Sequence, residues 1–329
     1  VSDPAGPALL RIRGLGHAFV PARRAAKPTP AALSEFDLEL RRGEIVGLLG
    51  PNGSGKSTAL ALIAGLLPLR TGTLAFEGRP LSTVDRSFRA ALGVVFQQPS
   101  VDKKLSAREN LELALGMHGV SGSAATARAR ELLDQAGLLD RADEPLKNLS
   151  GGMRRRVDLV RAVAHGPRLL LLDEPSAGLD EQSFRRLWDQ LERLRARSGM
   201  TILVATHRPD EAERCDRLVV LDAGRQVAHA TPRELIAAVA ADVVRVRACE
   251  AAELAREVAE RFAVAVELDG DELVIGHPRG HELIVRIVES FPRGRIDAIT
   301  VQRPTLAEVF LHLTGHSLDH STPGSEVAA

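Results

Sequence analysis

Apolar and polar positions alternate in short runs over residues 8–20 and 34–49, the period of half-buried β-strands. Between them, residues 21–32 are rich in Pro, Ala and basic side chains and read as an exposed loop. Further along, apolar runs at 44–49, 93–96, 169–172 and 201–205 predict strands. Patterns of helical period predict helices at 56–66 and near 106–117, 123–136, 151–165 and 181–197. Strands that are apolar throughout and are followed by helices predict a parallel α/β sheet covered on both faces.

The pattern changes near residue 240. Thr231-Pro232-Arg233-Glu234 opens a helix that ends near Ala241: Thr accepts from an orphan first-turn amide, Pro suits the first helical position and Glu reaches back. Beyond it the pattern predicts strand 243–248, helix 251–262, strands 263–268 and 271–276, helix 280–290 and strand 295–301. That β-α-β-β-α-β order fits a ferredoxin-like unit, with Asp269-Gly270-Asp271 as a hairpin turn. Its expected core includes Val244, Val246, Leu254, Val258, Phe262, Val266, Leu273, Ile275, Ile284, Ile287 and Val301. Thr305-Leu306-Ala307-Glu308 caps a last helix that ends before Gly315, and residues 317–329 read as a frayed, flexible tail.

Composition narrows the function classes. The 329 residues suit one large domain or two smaller ones, and 44% hydrophobic against 26% charged content excludes disorder of the whole chain. No apolar stretch reaches the roughly 18 residues needed to span a bilayer, and no secretory leader is expected. Basic and acidic residues balance at 43 each, which removes bulk attraction to nucleic acid or anionic lipid. Cys215 and Cys249 form no paired motif, so a disulfide scaffold or cysteine metal site is not expected.

Gly50-Pro51-Asn52-Gly53-Ser54-Gly55-Lys56-Ser57 matches GxxxxGK[ST], after a predicted strand and at the start of a predicted helix. Glycines let successive backbone amides turn inward around phosphate oxygens, and the helix N-terminus adds partial positive charge. Lys56 is placed to reach the β- and γ-phosphates, and Ser57 to ligate Mg²⁺. Leu169-Leu170-Leu171-Leu172-Asp173-Glu174 then puts two carboxylates at the end of an apolar strand, where α/β sheets bind ligands. Beside a phosphate loop, Asp173 suits the Mg²⁺ shell and Glu174 the activation of water. Leu149-Ser150-Gly151-Gly152-Met153 forms a second anion-binding helix start, one more than a single nucleotide needs.

The order of phosphate loop, Gln97, LSGG, Asp173-Glu174, Ser176-Ala177-Gly178-Leu179-Asp180 and His207 resembles that of the ATP-binding-cassette (ABC) ATPases. The spacings agree: 94 residues from Lys56 to Ser150, 23 from Ser150 to Asp173 and 33 from Glu174 to His207. The resemblance implies a P-loop NTPase fold of the α/β class: a RecA-like parallel-sheet core, an antiparallel β subdomain and a helical subdomain at about 97–165, within a cassette at 1–239. A small α+β domain follows at 240–316 and a tail at 317–329. It implies binding of ATP by Asn52, Gly53, Ser54, Gly55, Lys56, Ser57 and Thr58, with Mg²⁺ held by Ser57, Asp173 and Gln97. It also implies catalytic roles for Lys56, Gln97, Glu174 and His207, and a head-to-tail dimer in which Ser150, Gly151 and Gly152 contact the partner's nucleotide while Asp180 communicates between the sites.

Gln98 adjoins Gln97 and competes for its role. Phe19 is the candidate for stacking on adenine, against the alternative of an ordinary core Phe. Met153 stands where the family often has Gln, outside the phosphate-contacting Ser and glycines. Arg154-Arg155-Arg156 reads as a solvated face. The segment Gln302-Arg303-Pro304-Thr305-Leu306-Ala307-Glu308-Val309-Phe310-Leu311 resembles the tail of ATPases that power type-2 exporters. Such a chain drives a separate polytopic permease, pairs with a second copy and sits on the cytoplasmic face of the cell membrane. The alternative is a non-transport ABC ATPase acting on nucleic acid or ribosomes. One cassette, no long heptad insertion and zero net charge point away from that, and no nucleic-acid partner is expected.

Overall fold

The computed structural model describes residues 8–19, 31–81, 86–98, 100–239, 242–248, 250–292, 294–302 and 304–318. The expected loop at 21–32 (apart from Ala31 and Ala32), Cys249, Arg303 and the tail beyond Leu318 lie outside them. The described residues divide into two units, the first ending at His229 and the second running from Ala230 to Leu318.

In the first unit the elements run β1 (Ala8–His17), β2 (Leu33–Arg41), β3 (Ile45–Leu49), α1 (Lys56–Ile63), β4 (Thr71–Phe76), β5 (Arg79–Pro80), α2 (Arg86–Ala90) and β6 (Leu92–Val95). They continue α3 (Ala107–Met117), α4 (Gly122–Gln135), α5 (Gly151–Val163), β7 (Leu169–Asp173), α6 (Glu181–Ser198), β8 (Thr201–Thr206), α7 (Pro209–Ala212), β9 (Arg217–Asp222) and β10 (Arg225–Ala230). One sheet has the order β2-β1-β4-β5 with antiparallel pairs. The other has the order β10-β9-β3-β8-β7-β6, and its strands from β9 to β6 pair in parallel.

Every residue of β3 and β8 is buried, as are Leu169–Leu172 of β7. Such strands read as continuous apolar runs because helices cover both faces, and each large side chain contributes about 1.5–3 kcal/mol of burial. The chain leaves β3, visits the far edge at β6, returns through β7 and β8, then crosses to β9 on the other flank of β3. This makes β3 the point where strand order reverses, and ligands of open α/β sheets bind beyond the C-terminal ends there. Register brings Leu49 beside Thr206 and Asp173 beside Ala205, so three motif-bearing loops emerge at one edge.

Helices α3, α4 and α5 enclose a separate apolar cluster that includes Leu111, Leu115, Leu132, Leu133, Val157 and Val160. A reciprocal Ser106–Glu109 box starts α3. Asp180 caps α6, and Gly199 ends it in the left-handed conformation at φ 66°. The hydrophobic pattern read above assigns no elements to β4, β5, α2, α7, β9 or β10. In β4 only Leu74 and Phe76 are buried, and the other four positions give a weak alternation.

The second unit begins with α8 (Pro232–Val239), which contacts α11 (Leu306–Thr314). That contact moves the division to Ala230, ahead of the pattern change near 240. Between them lie β11 (Asp242–Arg247), α9 (Ala251–Phe262), β12 (Glu267–Asp269), β13 (Glu272–His277), α10 (Gly280–Ser290) and β14 (Ala298–Gln302). The sheet order is β12-β13-β11-β14, with antiparallel pairing and Gly270 at φ 63° in the β12–β13 turn. The strand and helix order is the ferredoxin-like one. Both Thr231 and Thr305 accept a first-turn amide, and Glu234 and Glu308 accept the return bond. Leu283 is fully buried in this core, whereas Val301, expected there, is 37% exposed. Val301 sits on β14, which among the described residues is the edge strand beside β11 and has no strand on its other flank.

Candidate active site

Strand β3 delivers the chain to Gly50, whose amide donates to the Thr206 carbonyl at 3.2 Å. A Cβ at Gly50 would lie 2.2 Å from the Leu221 carbonyl oxygen, and one at Gly55 (φ 102°) 2.5 Å from that of Ala32. Only glycine fits either place. No side chain caps α1 and no acid stands in its first turn, so the helix keeps its partial positive charge toward the loop. Lys56 is 4% exposed and folds back over the loop, with Nζ donating to Gly50 O and Pro51 O at 2.8 Å each. Burial pushes its pKa down, against the opposing pull of Glu174 and Asp173. Ser54 is buried with no partner for its hydroxyl among the described residues. Asn52, Gly53 and Ser57 are exposed, and Thr58 is half-buried.

The end of β7 faces this loop. Ser57 Oγ donates to Asp173 Oδ1 at 3.1 Å, and burial holds the Asp173 carboxyl above the usual range. Glu174 turns out of the strand at φ 45°, a conformation that costs a non-glycine residue about 1–3 kcal/mol. Its carboxylate is held at both oxygens. Oε1 lies 2.9 Å from His207 Nδ1, and Oε2 accepts from Gln97 Nε2 at 3.0 Å. The hydrogen bond with His207 holds the Glu174 pKa below the ordinary carboxylate value, and the same bond raises that of His207. Between the two adjacent glutamines, Gln97 is the one bonded to the carboxylate.

The arginine run departs from the expected solvated face. Arg155 is 5% exposed. Its guanidinium donates to Pro175 O at 2.7 Å, Glu174 O at 3.1 Å, Asp173 O at 3.2 Å and Phe96 O, with the Asp158 carboxylate 3.5 Å away. Arg154 and Arg156 are half-buried and bond to Leu149 O and Ala136 O. A signal existed: Arg155, Asp158 and Ala162 recur at helical spacing on a buried face of α5.

The remaining sequence candidates form a second group. Ser150 caps α5, its hydroxyl accepting from Met153 N at 3.2 Å, and Gly151 is exposed beside it. A Cβ at Gly152 would lie 2.6 Å from Ser183 Oγ, and Ser183 N donates to Asp180 Oδ1 at 2.7 Å. The Ser150 turn and Asp180 therefore meet at the start of α6. That bond from Ser183 holds the Asp180 pKa down. Phe19 follows directly after β1. At 50% exposure it is not a core residue, and its ring meets His17 edge-on at 4.8 Å.

A parallel sheet whose central strand feeds a glycine loop and a buried lysine, opposite two strand-end carboxylates, defines the P-loop ATPases as a class. A profile described as "ABC transporter" matches residues 33–177. The Nod factor export ATP-binding protein I of Burkholderia lata is 39% identical over 282 residues, 85% of this chain and 90% of that protein. The daunorubicin resistance ATP-binding protein DrrA3 of Streptomyces coeruleorubidus is 36% identical over 289 residues, 86% of this chain and 91% of that protein. Among solved structures, the dimeric post-hydrolysis ATP-binding cassette MJ0796, bound to ADP and Pi, aligns with a TM-score of 0.61 and 29% identity. The alignment covers 68% of this chain and 98% of that one. The chain belongs to the ABC transporter family, as an ATP-hydrolysing subunit of the export type.

Proposed function

We propose that the chain powers a separate polytopic permease from the cytoplasmic face of the membrane, working as a head-to-tail dimer with a second copy of itself. The observation that carries the reading is the convergence on Glu174. One carboxylate is held by His207 and Gln97 and adjoins the Asp173–Ser57 pair that faces the glycine loop. Such a group is oriented to take a proton from water. His207 and Lys56 are the groups for the γ-phosphate, and the amides of Asn52 to Thr58 form the rest of the phosphate cradle. The Ser57 hydroxyl and the buried Asp173 carboxylate are oxygen donors of the kind a hard divalent cation takes, with Gln97 as a third. Mg²⁺ bound by them supplies charge neutralisation at the transferred phosphoryl group.

Ser150 and Gly151 are exposed where they open α5 with Gly152, which suits contact with a partner's nucleotide, and Asp180 adjoins them through Ser183. MJ0796, the cassette described as dimeric with ADP and Pi, supports pairing of this kind. Phe19, with an exposed ring, is the group for adenine. Among the described residues no helix is long and apolar enough to cross a membrane. The test is fractionation. The chain should follow membranes when co-expressed with its permease and leave them when expressed alone. Copurification with nucleic acid in place of a polytopic membrane protein would overturn the transport reading in favour of the non-transport alternative.

A further inference from the structure

We propose that Arg155 is a positioning residue for hydrolysis. In this assignment its guanidinium fastens the turn that carries Glu174 and the strand end that carries Gln97 to the helix that Ser150 opens. The inference rests on the reading of Glu174 as the residue that activates water.

The parallel ladder between β6 and β7 ends at the pair Val95 and Leu172. One residue further along each strand, the carbonyls of Phe96 and Asp173 both accept from Arg155. The side chain thus joins the two strands where the backbone ladder has stopped. It also takes the next two carbonyls, those of Glu174 and Pro175. Four acceptors on two segments suit the rigid donor fork of a guanidinium, and the point charge of a lysine does not reproduce that geometry. Asp158, fully buried and also paired with Arg161 at 2.9 Å, neutralises the buried cation.

The contacts fall where catalysis is sensitive to position. Glu174 holds a left-handed backbone that an ordinary residue leaves when released, and Arg155 binds the carbonyl of that same residue. Phe96 immediately precedes Gln97, which donates to the Glu174 carboxylate. Loss of the clamp frees both ends of that hydrogen bond together. The phosphate loop runs from β3 into α1 and touches the clamped turn through the Ser57–Asp173 bond, and the acceptors of Arg155 lie at Phe96 and Asp173–Pro175, outside the loop. A residue serving stability alone would lower the melting temperature and leave the rate per folded molecule unchanged. A positioning residue changes kcat and spares nucleotide binding.

The experiment compares Arg155→Met, Arg155→Lys and, as a charge control outside the site, Arg156→Met in the full chain. Phosphate release is measured against ATP concentration with Mg²⁺ well below each melting temperature, and equilibrium binding of a fluorescent ATP analogue is measured alongside. Arg155→Met should lower kcat by about ten- to a hundredfold, as small displacements at a reacting centre do, with KM nearly unchanged. Arg155→Lys should recover part of that rate, and Arg156→Met should match the unmutated chain. If Arg155→Met fails to fold, a folded Arg155→Lys with reduced kcat and unchanged KM supports the assignment. Unaltered kcat in a folded Arg155 variant overturns it, as does loss of nucleotide binding in parallel with kcat. A lack of turnover in the unmutated chain would overturn the ATPase reading beneath it, and the Arg155 assignment with it.

Discussion

Glu174 and His207, 33 residues apart in sequence, share one hydrogen bond of 2.9 Å between carboxylate Oε1 and imidazole Nδ1. The bond lowers the Glu174 pKa from its ordinary 4.5 and raises that of His207 from its ordinary 6.5. The His207 contribution to stability is complete below 6.5 and is lost as pH rises through its raised folded value. The Glu174 contribution is present above 4.5 and is lost as pH falls through its lowered folded value. The charged pair therefore spans a window from below 4.5 to above 6.5. An NMR titration of His207 should give a midpoint above 6.5 that moves back toward 6.5 in Glu174→Gln. A midpoint at or below 6.5 in the unmutated protein would contradict the pair.

Gly55→Ala tests the loop by sterics alone. The added methyl meets the Ala32 carbonyl at 2.5 Å, and φ 102° excludes a side chain. The substitution should abolish ATP binding by calorimetry while the β3–β8 core, which excludes Gly55, keeps its circular dichroism. Binding of unchanged affinity would show that the loop tolerates a different path.

How much was legible in the sequence depends on whether the signal is contiguous. Gly50–Ser57 and Leu169–Glu174 are unbroken strings, so both were readable. The run Leu218–Leu221 in β9 has the same apolar signature as β7, but no chemical motif follows it to fix its place. The bonds among Gln97, Glu174 and His207 span 77 and 33 residues and exist because parallel register aligns the ends of β6, β7 and β8. Motif order named those residues; periodicity could not join them. Arg155 was hidden because its two arginine neighbours make the run look like a surface stripe, and only helical phase with Asp158 separates it from them.

Ser150→Arg should leave the chain's own phosphate loop intact and block approach of a second cassette. In the proposed dimer the mutant binds ATP as a monomer and hydrolyses little of it. Sedimentation with ATP checks the association and a binding isotherm checks the loop. Collapse of monomer binding as well would rule against contact from the partner's side.

Ending the chain after His229 removes the second unit at its division from the first. No residue assigned to ATP chemistry lies beyond that point. Nucleotide binding should persist, while ATP-dependent dimer retention or transport with the permease weakens. Equal dimer affinity and equal transport in the truncated chain would reduce the unit to a stability appendage.

The central claim is that Glu174, as Gln97 and His207 hold it, activates water for ATP hydrolysis. Its most direct measurement is phosphate release by the purified chain and by Glu174→Gln, with ATP binding followed in the same preparations. The amide keeps the size of the side chain and loses its basicity. The account predicts retained ATP binding, an accumulated ATP-bound dimer and turnover lower by about 10²–10⁴-fold. Turnover equal to that of the unmutated chain, in a preparation free of contaminating ATPase, would contradict it.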